Sequence, residues 1–181
     1  MGEAKRKRER HAAILRANPF CVFCGGDRAS KTIDHQPPKI FFRSKRFPDG
    51  YEFAACEACN LDFGSLEQVA ALWFNLSDHG AKHNPDDLHK KISGVYNNER
   101  DALPIPVKER AVWRRSAREL GVEIPLGSAF SDFPIVKIPL KAKLALLVSG
   151  AKIAVALYHK HVGLIFPKAG KADVRFDANI V

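Results

Sequence analysis

All four cysteines of this 181-residue chain fall into two Cys-x-x-Cys pairs. Cys21 and Cys24 form the first pair, Cys56 and Cys59 form the second, and 31 residues separate the two pairs. Two thiolates spaced in this way can bind one centre, and two such pairs complete the tetrahedral four-sulfur site typical of zinc. We therefore expect these four residues to hold a structural Zn²⁺ ion, in a closed site that supports the fold and leaves the chemistry to other residues.

The cysteine pattern has alternative interpretations. Ordinary buried cysteines or a redox pair would show the same spacing. A disulfide framework is disfavoured because the chain resembles a cytosolic protein, in which thiols stay reduced. The segment between the pairs is also longer than the about 15–20 residues of simple zinc ribbons. The additional length carries an acid, a histidine and a basic loop.

Three polar residues lie between or directly after the cysteine pairs. Asp34 and His35 are neighbours, and Asn60 follows the last cysteine. A zinc ion that joins the two pairs would bring Asn60 close to Asp34, and both side chains offer oxygen ligands to a hard divalent cation such as Mg²⁺. Beside such a cation, His35 is suited to act as a general base on water. The alternative is an acid–histidine hydrogen bond with a purely structural role.

The charge of the chain favours an anionic partner, with nucleic acid as the first candidate. The formal net charge is +9 at pH 7, and residues 133–172 contain seven lysines and no carboxylate. A second basic cluster precedes the first cysteine. A third lies inside the cysteine stretch, and we expect it to contact phosphates: Lys39, Arg43, Lys45 and Arg46. The alternative is that these residues only make the surface soluble.

Neither a membrane nor the secretory route is indicated. The longest uncharged apolar run, Leu144–Ala151, is far short of the roughly 20 residues of a spanning helix. The basic N-terminus has no apolar segment behind it, unlike a secretory signal. With 46% hydrophobic and 27% charged residues, the composition is that of an ordinary globular protein. We expect a cytoplasmic protein with no membrane partner.

The elements that must position these residues follow from turn signals and periodicity. A charged helix is predicted over residues 3–17, and short strands over 31–36 and 51–55, the first stopped by Pro37-Pro38. Asp49-Gly50 predicts the turn between the strands. Apolar residues at helical spacing predict one amphipathic helix over 61–76, with Asn60 as its N-cap. Both types of element together predict the α+β class.

The second half of the chain is predicted to be mainly helical. Helices are expected over 85–96, 107–120 and 141–160, a linker at Pro104 to Pro106, a short strand over 134–139 and an irregular end from Gly163. We therefore divide the chain into a basic N-terminal helix (1–20), a zinc-bound module (21–78) and a mainly helical C-terminal part (79–181).

These motifs resemble those of a known family, the HNH endonucleases, which have a ββα-metal fold. The matching order is Cys-x-x-Cys, Asp-His, then Cys-x-x-Cys-Asn before an apolar helix. The Asp-His-Gln-Pro-Pro-Lys run within 32–42, followed by Cys-Glu-Ala-Cys-Asn at 56–60, is similar to a four-cysteine subgroup found in bacteria and phages. Residues 153–163 also resemble the late helix of that group, so the likeness is specific over 21–60 and looser beyond.

The resemblance implies a divalent-metal-dependent endonuclease that hydrolyses phosphodiester bonds in DNA, encoded by a bacterium or a phage. It implies that His35 is the general base and that Asp34 and Asn60 bind the catalytic cation, Mg²⁺ or Mn²⁺. It also implies that the four cysteines bind the structural zinc.

The chain departs from the family at the middle asparagine of the motif, which mainly braces the loop that carries the histidine. Residues 51–55, where it is expected, contain no asparagine. Either another residue serves as the brace or the fold has lost catalysis. Two other functions therefore stay open: a non-catalytic, zinc-containing nucleic-acid-binding protein, and a zinc-stapled protein-interaction domain that binds through its helical second half.

Overall fold

A computed structural model of the chain describes residues 2–42, 47–76, 85–119 and 121–175. Its α-helices are α1 (Glu3–Ala17), α2 (Glu57–Leu61), α3 (Gly64–Leu76), α4 (Pro85–Asn98), α5 (Arg110–Glu119) and α6 (Leu140–Val162). Its strands are β1 (Thr32–His35), β2 (Glu52–Ala55), β3 (Ile105–Pro106) and β4 (Val136–Lys137). Two short 3₁₀ turns cover Lys39–Phe41 and Arg100–Ala102. Helices and small separate sheets are both present, which is consistent with the predicted α+β class.

The strands that carry the candidate site form an antiparallel pair. β1 and β2 align so that Thr32 lies opposite Ala55 and His35 lies opposite Glu52. β1 ends at His35. Two residues later comes Pro37, which has no N–H and so cannot donate a ladder hydrogen bond. The turn before β2 contains Gly50 with a φ of 78°, a conformation that favours glycine. The two predicted strands are confirmed, each slightly shorter than expected.

The helix predicted over 61–76 is two helices in the structure. α2 begins directly after Cys56, whose Sγ accepts a hydrogen bond from the Cys59 N–H at 3.4 Å and so serves as its N-cap. The N-cap prediction for Asn60 is therefore wrong, because the sulfur caps the helix one turn earlier. Asn60 lies inside α2, and its Nδ2 donates to the carbonyl of Ile33 at 3.4 Å.

The main core lies between α3, α4 and α6. Val69, Leu72 and Trp73 of α3 recur at helical spacing and are buried, against Val95 of α4 and Leu146 of α6. Fully burying a Val or Leu side chain stabilises the fold by about 1.5–3 kcal/mol. The indole of Trp73 also donates to the carbonyl of Ala102 at 2.8 Å. α3 therefore packs against both α4 and α6.

In the C-terminal part, the long helix is found as predicted. The segment around Pro104 and Pro106, predicted to be a linker, differs from the prediction. α6 covers and slightly exceeds the predicted 141–160, and it ends at Gly163 with a φ of 76°. The predicted linker contains β3, which pairs with β4. α5 starts later than predicted because Val107 N donates to the carbonyl of Ile135 and continues that pairing. None of the helices in the described ranges has the length and apolar character needed to cross a membrane.

Candidate active site and metal centres

The four cysteines converge at one point, where the turn before β1 meets the start of α2. Their four Sγ atoms lie within 4.8 Å of one another. The first pair is brought there by a tight turn that continues through Gly25 and Gly26, both in the left-handed region with φ of 66° and 81°. Cys21 and Cys56 are buried, and Cys24 and Cys59 are partly exposed. The expected clustering of the cysteines is confirmed.

The chemistry of these four sulfurs fits a zinc ion. The N–H of Phe23 donates to Cys21 Sγ and the N–H of Cys59 donates to Cys56 Sγ, both at 3.4 Å, and such bonds stabilise thiolates. Burial raises the pKa of Cys56, but hydrogen bonds from Cys59 and other neighbours outweigh it and lower the pKa to about 7. Burial raises the pKa of the Cys21 thiol. A divalent cation would stabilise all four as thiolates, so the cluster can bind a metal such as zinc.

Asp34 is buried in β1 and is paired with a cation from the far end of the chain. Its Oδ2 lies 2.8 Å from Lys152 Nζ of α6 and accepts a hydrogen bond from Gln36 Nε2 at 3.2 Å. Lys152 Nζ also lies 2.6 Å from Glu67 Oε1 of α3. One buried lysine therefore connects β1, α3 and α6 through two carboxylates.

Lys152 is held as a cation by its surroundings. Burial favours a lower pKa, but the charges and hydrogen bonds of Asp34 and Glu67 outweigh it and raise the pKa of Lys152. The rings of Phe23 and Phe63 lie 5.4 and 5.2 Å from Nζ and add cation–π attraction. Lys152 is not among the site residues predicted from the sequence. The sequence feature that could have indicated a special role for Lys152 is its position, because this lysine ends the longest apolar run of the chain.

His35 contacts a carboxylate, that of Glu52, which is also absent from the predicted site residues. Its Nε2 lies 3.2 Å from Glu52 Oε1, directly across the β1–β2 pair. His11 of α1 approaches the same oxygen with its Nε2 at 3.4 Å. Arg10 of α1 holds both oxygens, at 2.7 Å to Oε2 and 2.8 Å to Oε1. Pairing of the two predicted strands could have indicated that Glu52 lies near His35. Nothing in the sequence indicated that Arg10 or His11 would lie there.

The surroundings keep His35 neutral and Glu52 ionised. Burial lowers the pKa of His35, the positive charge of Lys39 adds to the effect, and Glu52 only partly opposes it. Burial alone would raise the pKa of Glu52, but Arg10 and His11 outweigh it and hold the pKa below its usual range. At neutral pH the pair therefore consists of a carboxylate and an imidazole that can accept a proton.

Asp34, His35 and Asn60 line one cavity of about 300 Å³. Lys39 and Glu67 contribute to the same wall. Asn60 uses Nδ2 to bind the carbonyl of Ile33, so its Oδ1 is the atom available to a ligand. The structure thus brings together the three residues predicted to be catalytic, although they come from two elements.

The predicted phosphate contacts are only partly within the described residues. Lys39 lies in the first 3₁₀ turn and borders the cavity, with its Nζ 5.8 Å from the ring of Phe47. Burial and the nearby positive charges of Lys7 and Arg10 lower the pKa of Lys39, so α1 adds positive charge to this side of the cavity. The other three predicted contacts lie outside the described residues: Arg43, Lys45 and Arg46.

Comparison of the chain with models of known protein families, with curated proteins and with solved structures finds no match. Function is therefore inferred from the residues and their geometry. The two features that bear on it most directly are the four-sulfur cluster and the cavity lined by Asp34, His35 and Asn60.

Proposed function

We propose that this chain is an HNH-type endonuclease that hydrolyses phosphodiester bonds in DNA with a divalent cation. The observation that carries the proposal is the shared cavity of Asp34, His35 and Asn60. These are the residues to which the family resemblance assigns cation binding and general-base catalysis. They lie on β1 and α2, in a strand–strand–helix order that a ββα-metal module requires.

Asp34 and Asn60 would hold Mg²⁺ or Mn²⁺ through oxygen atoms. Lys152 and Gln36 engage Oδ2 of Asp34, which leaves Oδ1 for the cation, and Asn60 offers Oδ1. Carboxylate and amide oxygens suit hard divalent cations that keep several waters and take further oxygens from phosphate. When bound, the cation would supply positive charge to the scissile phosphate and to the leaving oxygen.

His35 would take the proton from the attacking water. Its Nε2 faces Glu52 Oε1, so a proton on Nε2 forms the hydrogen bond and Nδ1 keeps the lone pair that accepts a proton. The ring of Phe47, with its centroid 5.0 Å from that of His35, limits the orientation of the imidazole. Glu52 is thus suited to replace the absent asparagine as the brace of the histidine.

Positive charge near the cavity supports a nucleic-acid substrate. Lys39 borders the cavity, and Lys7 and Arg10 of α1 lie close enough to lower its pKa. Such residues attract phosphates and make binding dependent on salt concentration. The cysteine cluster would hold β1 and α2 in place while these residues contact the backbone of the DNA.

A plasmid-nicking assay tests the proposal. The wild-type protein should convert supercoiled plasmid to nicked plasmid with Mg²⁺ or Mn²⁺, and His35→Ala should lower the rate by on the order of 10²–10⁴-fold. His89→Ala, at an exposed histidine of α4, is the matched control and should leave the rate unchanged. The absence of cleavage, or equal cleavage by His35→Ala and wild type, would refute the nuclease function.

One observation favours a second function, a zinc-containing nucleic-acid-binding protein without catalysis. Lys152 already neutralises the Asp34 carboxylate and so competes with a divalent cation for that charge. This function predicts salt-dependent DNA binding that weakens in Lys39→Ala, Lys45→Ala and Arg46→Ala, with no cleavage under any metal condition. Binding measured alongside nicking therefore separates the two functions.

A further inference from the structure

We propose that His11, His35 and Glu52 form a second metal site, which binds a divalent transition metal such as Co²⁺, Ni²⁺ or Zn²⁺ and blocks the base function of His35. Metal binding at this site is independent of the nuclease function. The inhibition rests on that proposed function, because it requires His35 to act as a base.

The three ligand atoms already have the spacing of a coordination site. His11 Nε2 and His35 Nε2 lie 3.4 and 3.2 Å from the same oxygen, Glu52 Oε1. One ligand atom from each of the three residues lies within 4.8 Å of the other two. Metal–ligand bonds of about 2.0–2.2 Å place neighbouring ligands of a tetrahedral ion about 3.3–3.6 Å apart. Ordinary N–H···O bonds are shorter, at about 2.9–3.0 Å.

The donor set selects the class of metal. Two imidazoles and one carboxylate suit zinc and neighbouring transition metals, and three protein ligands leave a further position open. The side chains of His11, His35 and Glu52 are 26%, 16% and 7% exposed, so an ion can reach the site from solvent. The site differs from the four-sulfur cluster, which would be closed.

The charges around the site disfavour Mg²⁺ there. Arg10 compensates the charge of Glu52, and Lys39 adds a further positive charge near His35. A hard cation such as Mg²⁺ binds mainly through charge, so two neutral imidazoles and a compensated carboxylate bind it weakly. Imidazole nitrogens bind borderline metals strongly. The Arg10 contact also fixes the carboxylate orientation, as hydrogen bonds to ligating carboxylates commonly do.

Binding at Nε2 would change the proton state of His35. A neutral imidazole has one proton and one free lone pair. If the Nε2 lone pair binds a metal, the proton moves to Nδ1, which then donates a hydrogen bond and cannot take a proton from water. Occupation of the site and general-base catalysis by His35 are therefore mutually exclusive. His11, from α1, is the ligand that makes this a three-residue site.

Cobalt binding tests the site without a substrate. Co²⁺ is titrated into full-length protein whose cysteine cluster is loaded with zinc, with calorimetry and visible absorption as readouts. With excess Mg²⁺ present to occupy the oxygen ligands of Asp34 and Asn60, we expect one additional Co²⁺ per chain, with visible d–d bands and without sulfur-to-cobalt charge transfer. His11→Ala removes a direct ligand, so it should weaken this binding by more than the about 10–100-fold typical of losing an outer-shell partner, or abolish it. His89→Ala is the control and should bind as wild type does.

The inhibition is measured in the nicking assay as the ratio of the cleavage rate with Co²⁺ to the rate without Co²⁺, for each variant. Co²⁺ should slow Mg²⁺-dependent cleavage by the wild-type protein, and at least tenfold more Co²⁺ should be needed for the same fractional inhibition of His11→Ala. Equal Co²⁺ affinity in His11→Ala and wild type, or no additional Co²⁺ in either, would overturn the site. Absence of cleavage in every variant would count against the nuclease function alone, because the cobalt titration decides the site without substrate.

Discussion

Lys152 Nζ lies 2.8 Å from Asp34 Oδ2, so α6 reaches the strand that carries the candidate active site. The same nitrogen lies 2.6 Å from Glu67 Oε1. Two carboxylates would otherwise be placed side by side in a largely buried region, which is strongly unfavourable. α6 therefore contributes to the electrostatics of the site as well as to the core.

Lys152→Met should destabilise the fold by about 3–5 kcal/mol, because it keeps the length of the side chain and leaves the partner carboxylates without their cation. The free energy of unfolding in urea, followed by circular dichroism at pH 7, measures the loss. Lys143→Met is the matched control, since Lys143 is an exposed lysine of the same helix. A Lys152→Met protein as stable as Lys143→Met would show that the buried pairing contributes no net stability.

Glu52→Ala should lower the cleavage rate by on the order of 10²-fold with little change in KM, because the carboxylate orients the base and does not hold the substrate. Glu52→Asp, which keeps the charge on a shorter side chain, should recover part of the rate. Single-turnover rates over a series of DNA concentrations separate kcat from KM. A rise in KM with kcat unchanged would instead identify Glu52 as a residue needed for DNA binding.

Local signals in the sequence were sufficient for the cysteine cluster and the hairpin. These signals determine the backbone conformation or the ligand spacing within a few residues, so their structural consequence can be predicted without knowledge of distant contacts. They are the two Cys-x-x-Cys pairs, Pro37-Pro38 and Asp49-Gly50. The long helix α6 was predicted for a similar reason, because its apolar periodicity extends over many turns. The site residues Asp34, His35 and Asn60 followed from their position relative to these signals.

Other parts of the site depend on which distant elements meet. Lys152 and Asp34 are far apart in the sequence, and only the packing of α6 brings them together. His11 reaches Glu52 because α1 lies against β2. The N-cap prediction for Asn60 failed for a local reason: a cysteine sulfur also accepts backbone hydrogen bonds, and Cys56 caps α2 first.

The cleavage rate should fall as the pH is lowered, and this acidic limb of the pH profile should lie below the usual histidine pKa of about 6.5. The neutral imidazole is the active form, and burial together with the charge of Lys39 lowers the pKa of His35, so the active form persists to lower pH. A cation bound at Asp34 would act in the same direction. Lys39→Met should move the limb toward higher pH, because it removes a nearby positive charge.

The measurement is the pH dependence of single-turnover cleavage at saturating DNA, in buffers of constant ionic strength. Lys171→Met, at an exposed lysine of the C-terminal segment, is the control for a general loss of positive charge. An acidic limb that stays in place in Lys39→Met would mean that a group other than His35 limits the rate at low pH.

Removal of the metal from the cysteine cluster should unfold the module around the candidate site. The cysteine residues of the turn before β1 and of the start of α2 converge in one cluster, and a bound zinc ion contributes its binding free energy to the folded state. Cys59→Ser should therefore lower the zinc content measured by plasma emission spectroscopy and the midpoint of thermal unfolding together. It should also abolish nicking, because Asn60 is the next residue on α2. Ser65→Ala, near the start of α3, is a control that keeps all four sulfurs, and equal zinc content and stability in Cys59→Ser and Ser65→Ala would contradict a structural zinc site.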